Sequence, residues 1–248
     1  MTAAGVVPIG SVSPLMRAPP TLGGCWLYDL ILDHMIASWI TVRYHSAVDL
    51  GAPVLDVAPA VRGALLQALA RLEQPVTRRQ LAAAAGVSPG NASGVIEELI
   101  RAGLVSETLA GRSSMVMLNR SHLAAGPVLA LAGLRGELIR RLRERLSAWT
   151  DLRGAWLFGS VARGDADNDS DVDVVIVADD LQSPDLHERL AQLHADVRTW
   201  TGNDLQLVEH SATSWRKLVR AKNPLVEQIR LDGIALTGDA PSLLERHR

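Results

Sequence analysis

From residue 58 onward the apolar positions first keep a helical period and then a strand period. In APAVRGALLQALARLE (58–73), Val61, Leu65, Leu66 and Leu69 recur at the three- and four-residue spacing of an amphipathic helix. Thr77 is placed to cap a second helix, RRQLAAAAG, which ends at Gly86. Ser88 caps a third, with Pro89 in its first turn, where a missing N–H costs nothing. That helix runs to about Ala102, carries Ala92, Val95, Ile96 and Leu99 on one face, and is closed by Gly103. LVSET, LAGR and SSMVML then read as strand, turn, strand. Between 121 and 149, Leu134, Leu138, Leu142 and Leu146 fall four apart on a basic helical segment. Its arginines, from Arg135 to Arg145, are expected on the solvated face.

The second half alternates strand and helix. GAWLFGS and DVDVVIV are predicted strands, residues 184–200 a helix, DLQLVEH a strand, and 212–220 and 223–231 helices. Trp200 and Trp215 fit packing positions. Arg189 and His194 lie on one amphipathic helix and are given no chemistry.

Three helices, a tight turn and a hairpin form the order of a winged helix-turn-helix. Residues 58–119 resemble the winged-helix domains of bacterial regulators, on the AAGVSPGNAS turn and the AGLV exit into the wing. That resemblance implies DNA as a partner and a homodimer. The exposed start of the third helix offers Ser88, Asn91 and Ser93, which carry no charge. Phosphate contacts therefore fall to Arg78, Arg79, Arg101 and Arg112.

Chemistry concentrates in LFGSVARGDADNDSDVDVVIV, from Leu157. A strand ends in Gly159-Ser160, where glycine lets phosphate oxygens approach the backbone and the hydroxyl and N–H groups can donate to them. Ten residues later Asp171 and Asp173 open the next strand. Two residues apart, they point to one face, with Val172 and Val174 turned to the other. Two carboxylates on one face repel each other unless a cation sits between them. Magnesium takes oxygen ligands and shares them with substrate phosphates. Asp165, Asp167 and Asp169 fit a solvated turn. A calcium loop counted from Asp165 would want Gly and Glu where Ser170 and Ile176 stand.

FGSVARGD and the G-S-x10-D-x-D spacing resemble the DNA polymerase beta-like nucleotidyltransferases. The closest subset is the minimal enzymes that modify antibiotics or, as antitoxins, attach AMP to a partner toxin. The resemblance implies that Gly159 and Ser160 hold a nucleoside triphosphate, with ATP the expected one, and that Asp171 and Asp173 hold magnesium. Arg163 matches the family's ARG step and is assigned to the loop or to phosphate. The acceptor is then a protein, such as a partner toxin, or a small-molecule hydroxyl. The family supplies a third carboxylate from a later strand. In TGNDLQLVEH that position falls on Gln206, which cannot take a proton or bind magnesium as a carboxylate does. Asp204, one step earlier on the same face, is the remaining candidate base, and Glu209 faces the other way. The alternative is a DNA-binding regulator or antitoxin whose domain binds nucleotide without turnover.

The expected architecture is therefore α+β: a winged helix-turn-helix followed by a nucleotidyltransferase fold, a mixed β-sheet flanked by helices. The expected divisions are an N-terminal extension, partly disordered, over 1–57; the winged helix over 58–119; a connecting helix over 120–150; and the nucleotidyltransferase domain over 151–248. The chain has 248 residues, a net charge of −2 and one cysteine, which removes any internal disulfide framework. The cytoplasm is the default compartment. Residues 1–24, rich in Pro, Gly, Ser and Ala, read as a loose tail, and 26–45 as a possible short helix. Asp29, Asp33 and His34 interrupt the apolar stretch Leu22 to Ile40, so no membrane span is expected. The N-terminus lacks the basic start and cleavage site of a secretory signal.

Overall fold

The computed structural model describes residues 47–58, 60–111, 113–238 and 240–245. The expectations for the tail and for a helix at 26–45 lie outside these residues. Among the described residues, no helix is long and apolar enough to cross a membrane.

The first half is built on α1 (Val54–Val57), α2 (Ala60–Arg71), α3 (Arg78–Ala84) and α4 (Pro89–Arg101). A sheet of β1 (Val76–Thr77), β2 (Val105–Ala110) and β3 (Ser113–Leu118) accompanies them in the order β1-β3-β2, antiparallel throughout. Thr77 closes a full capping box with Gln80, each side chain meeting the other's backbone N–H. Ser88 Oγ accepts from Asn91 N–H at 3.3 Å. Each such cap contributes about 1 kcal/mol. Leu65, Leu69, Leu81, Ile96, Leu99, Val116 and Leu118 close one core, and Val54 of α1 joins it from outside the three-helix motif.

The basic segment is two helices, not one. α5 (Ala125–Ala132) ends and α6 (Leu134–Ser147) begins at Gly133. The break follows from where each half packs. Ala125 and Val128 join the winged-helix core, whereas Leu138, Ile139, Leu142 and Leu146 join the core of the second half.

That second half is a four-stranded sheet in the order β6-β5-β4-β7, made of β4 (Leu152–Phe158), β5 (Val172–Ala178), β6 (Leu205–Ser211) and β7 (Ile234–Ala235). α7 (Gly159–Arg163) follows β4 directly. α8 (Pro184–Thr201) crosses from β5 to the parallel β6, a connection that parallel pairing requires. α9 (Ala212–Arg220), α10 (Pro224–Asp232) and a short 3-10 turn (Ala240–Leu244) complete the chain. β5 is apolar from Val174 to Ala178 because both its faces are covered. Val172, Val174 and Ile176 meet α6 and α8 residues on one face. Val175 and Val177 meet Trp156, Trp215, Val219 and Val226 on the other. Trp156 and Trp215 stack there with centroids 5.1 Å apart. β7 was not visible in the sequence pattern; two residues are too few to show a period.

Candidate functional site

The β4–α7 junction and the start of β5 bring the sequence-predicted residues together. Phe158 pairs with Asp173 across the antiparallel β4–β5 ladder, and Gln206 pairs with Asp173 across the parallel β5–β6 ladder. Alternation then sets Asp173 on the face of Val175 and Val177, away from Val172 and Val174. Gly159 turns out of β4 at φ 73°, a left-handed conformation that disfavours a side chain. A Cβ at Gly159 would also collide with Asp173 Oδ2. The glycine is thus required twice, by the turn and by the carboxylate lying against it.

Burial pushes the Asp173 carboxyl above the usual carboxylate range, the charge of Asp171 pushes it further, and Arg163 opposes both. The carboxylate oxygens of Asp171 and Asp173 are donors of the kind that hard divalent cations take. The donor set is thin: among the described residues, no group of three or more His, Cys, Asp or Glu side chains is placed to hold a metal.

The reason lies on β6. Gln206 faces the pair, and its Nε2 donates to Asp171 Oδ2 at 3.2 Å. Asp204 stands two residues before Gln206. It precedes β6, its carbonyl accepts from Val172 N–H at 2.8 Å, and its exposed carboxylate forms an ion pair with Arg198 of α8. The carboxylate expected to act as base is thus engaged by Arg198. Glu209 pairs with Ile176 and faces away, as expected.

Arg163 sits at the end of α7. Its Nε donates to Asp165 Oδ2 at 3.2 Å, and its guanidinium lies 3.8 Å from Asp232 at the end of α10. The hydrogen bond to Asp165 holds Arg163 above its ordinary pKa, and the charges of Asp165, Asp232 and Asp173 add to this against partial desolvation. Ser160 lies within α7, and its carbonyl accepts from the N–H groups of Gly164 (2.8 Å) and Asp165 (3.2 Å). Asp167 organises the acidic loop as a turn: its Oδ1 accepts from Asp169 N–H and Ser170 Oγ.

Three neighbours of this loop were missed by the sequence reading. Arg135, assigned to a solvated face, instead reaches from α6 to the end of α7. Its Nε donates to Val161 O at 2.5 Å and its Nη2 to Ala162 O. Gly51 lies against the carbonyl of Ala166, where a Cβ would collide, and Asn203 Nδ2 donates to Ser170 O at 2.9 Å. Both contacts are tertiary, so neither leaves a local signal. Arg189 makes a two-bond ion pair with Asp151 and lies over Trp149, a packing role.

On the winged helix, Ser88, Asn91 and Ser93 are exposed at the start of α4, Arg79 is exposed on α3, and Arg101 is exposed at the far end of α4. Arg78 is corrected. Its guanidinium bonds Glu97 of α4 and Glu107 of β2, the latter at 2.6 Å and 3.0 Å, so it staples the motif and is not offered to phosphate. The bond to Glu97, then that to Glu107, raises it above its ordinary pKa against desolvation. Arg112 lies outside the described residues.

Comparison with known proteins adds two family matches. Residues 137–219 match the nucleotidyltransferase domain, and residues 63–108 match the IclR helix-turn-helix domain. No curated protein matches the chain. Among solved structures, the chain is similar to a mutant of the toxin–antitoxin MntA-HpeT (20% identity, covering 44% of this chain and 80% of that one, TM-score 0.30). It is also similar to a toxin–antitoxin with AMP-PNP (22%, 44% and 77%, 0.29) and to RV1404 from Mycobacterium tuberculosis (19%, 51% and 85%, 0.29).

Proposed function

We propose, from the premise that the chain carries a nucleotidyltransferase domain behind an IclR-type helix-turn-helix domain, that it takes up a magnesium-bound nucleoside triphosphate. ATP is the expected nucleotide, and its nucleoside monophosphate is passed to a hydroxyl of a protein or small molecule. The observation that carries this reading is Gly159, folded left-handed against Asp173. That junction sets the glycine turn at the end of β4 against a carboxylate of β5. Asp171 and Asp173 would hold the metal, Gly159 and Ser160 would receive the triphosphate, and Arg163 would exchange Asp165 for phosphate. When bound, magnesium offsets charge on the phosphates. Phosphoryl transfer asks the protein mainly for positioning and charge, which the glycine turn and the two aspartates would supply. Incubating the chain with labelled ATP, magnesium and candidate acceptors tests it. Labelled product that disappears in D171A supports it; no product from the wild type with any acceptor, or equal product from D171A, overturns it.

A second reading is favoured by Gln206 at the third-carboxylate position. Here the domain binds nucleotide without turnover, and the protein acts as a DNA-binding regulator or as the antitoxin of a partner protein. It predicts sequence-preferring DNA binding that responds to nucleotide. The working division follows the sequence: winged helix over 58–119, connector over 120–150 and nucleotidyltransferase domain over 151–248, in a homodimer of the cytoplasm.

A further inference from the structure

We infer that Arg135, which lies outside the matched nucleotidyltransferase region, is the positioning residue of the nucleotide turn. The inference rests on the nucleotide-binding reading above. α7 has five residues, so its last carbonyls have no following turn to receive donors from. Arg135 supplies them from another helix: one guanidinium donates to both Val161 O and Ala162 O. It also lies alongside Gly164, whose Cβ position is 3.6 Å from its Nε and Cζ. Gly164 is the left-handed cap of α7, at φ 84°. Both ends of this short helix thus depend on a glycine, and its C-terminal end is held by a cation rooted two residues after Gly133.

The orientation of α7 decides where Gly159 and Ser160 present their N–H groups and where Arg163 starts. Charge-assisted bonds to carbonyl groups are stronger than neutral ones. Removing Arg135 leaves the fold of β4 and β5 intact but frees the turn. Arg143 offers an internal control. It lies on the same α6, and its Nε also donates to a backbone carbonyl, that of Ala235 at 3.1 Å, on strand β7 instead of the turn.

The test is MgATP binding to the full chain by titration calorimetry, with melting temperature recorded for every variant. R135A should bind MgATP about tenfold more weakly, the loss expected for a bond to a charged group. R143A should lower the melting temperature with affinity unchanged. R135K, which keeps the charge without the forked donors, should fall between wild type and R135A. Equal affinity in R135A and wild type overturns the inference, as does an equal loss in R135A and R143A, which would mark a merely structural role. Should R135A not fold, unchanged affinity in R135K overturns it. Wild type that fails to bind MgATP overturns the nucleotide reading itself, a result distinct from the others.

Discussion

Gln206 Nε2 donates to Asp171 Oδ2 over 3.2 Å, so an amide closes the side of the site where a third carboxylate would stand. In Q206E that donor becomes a third negative charge. Without metal the variant should lose on the order of 1 kcal/mol of stability, from the lost bond and the added repulsion. With magnesium it should recover more than the wild type does. Thermal melts with and without magnesium check this. An equal magnesium response in both proteins would mean that residue 206 does not face the ion.

Asp173 makes the reverse case. Its folded-state pKa is raised, so its negative charge works against folding wherever both folded and unfolded chains are ionised. D173N should therefore stabilise the metal-free protein at neutral pH by roughly 0.5 kcal/mol, the scale of a relieved like-charge pair, while abolishing magnesium-dependent nucleotide binding. The gain should vanish as pH falls below the ordinary carboxylate range, where the wild-type group is protonated in both states. Melting temperature against pH for the two proteins reads this out.

Gly159→Ala should fail on two counts. The left-handed backbone costs about 1–2 kcal/mol, and the added methyl displaces Asp173. Lower stability together with lost nucleotide binding is the expected result. A substitution at the exposed, left-handed Gly86, which has open space around it, separates the two effects.

For DNA, Arg78 and Arg79 should part company. R79A should lower affinity for DNA uniformly and reduce the salt slope by about one. R78A should mainly destabilise the winged helix, because Glu97 and Glu107 lose their shared partner. Salt-dependent binding curves, alongside melts, distinguish a phosphate contact from a staple.

His210 gives the chain an acid-side weakness. Burial lowers its pKa, so below about pH 6.5 the unfolded chain takes up a proton that the folded one resists. Stability should fall as pH drops through that value and on to the folded-state pKa. In H210Q the slope over this window should flatten, whatever the uniform cost of losing the ring beside Trp215. Melts at pH 7.5 and 5.5 suffice.

Local chemistry was readable where a residue acts on its own neighbours in the chain. Thr77 and Ser88 cap the helices that their positions announced, and Gly86, Gly103 and Gly159 hold the left-handed turns that punctuate them. Strand alternation put Asp173 on the face opposite Val172 and Val174, and register put Gln206 beside it. Register could not show, however, that Arg198 of the preceding helix pairs with the carboxylate of Asp204. Arg78 and Arg135 were invisible for a related reason. A sequence shows that an arginine lies on a polar face, but not that another element brings carboxylates or orphan carbonyls to it. β7 and α1 were too short for a periodic signal.

Gly51 stands more than a hundred positions upstream of the carboxylates, yet any side chain there would wedge against Ala166 and shift the segment that leads into Asp171. The same stretch is tied back through Val54, whose N–H is received by Gln67 and whose side chain lies in the winged-helix core. The two halves therefore cannot be cut apart at residue 58 or residue 120 without exposing a seam: an isolated C-terminal fragment would keep its aspartates and lose the buttress behind the loop that carries them.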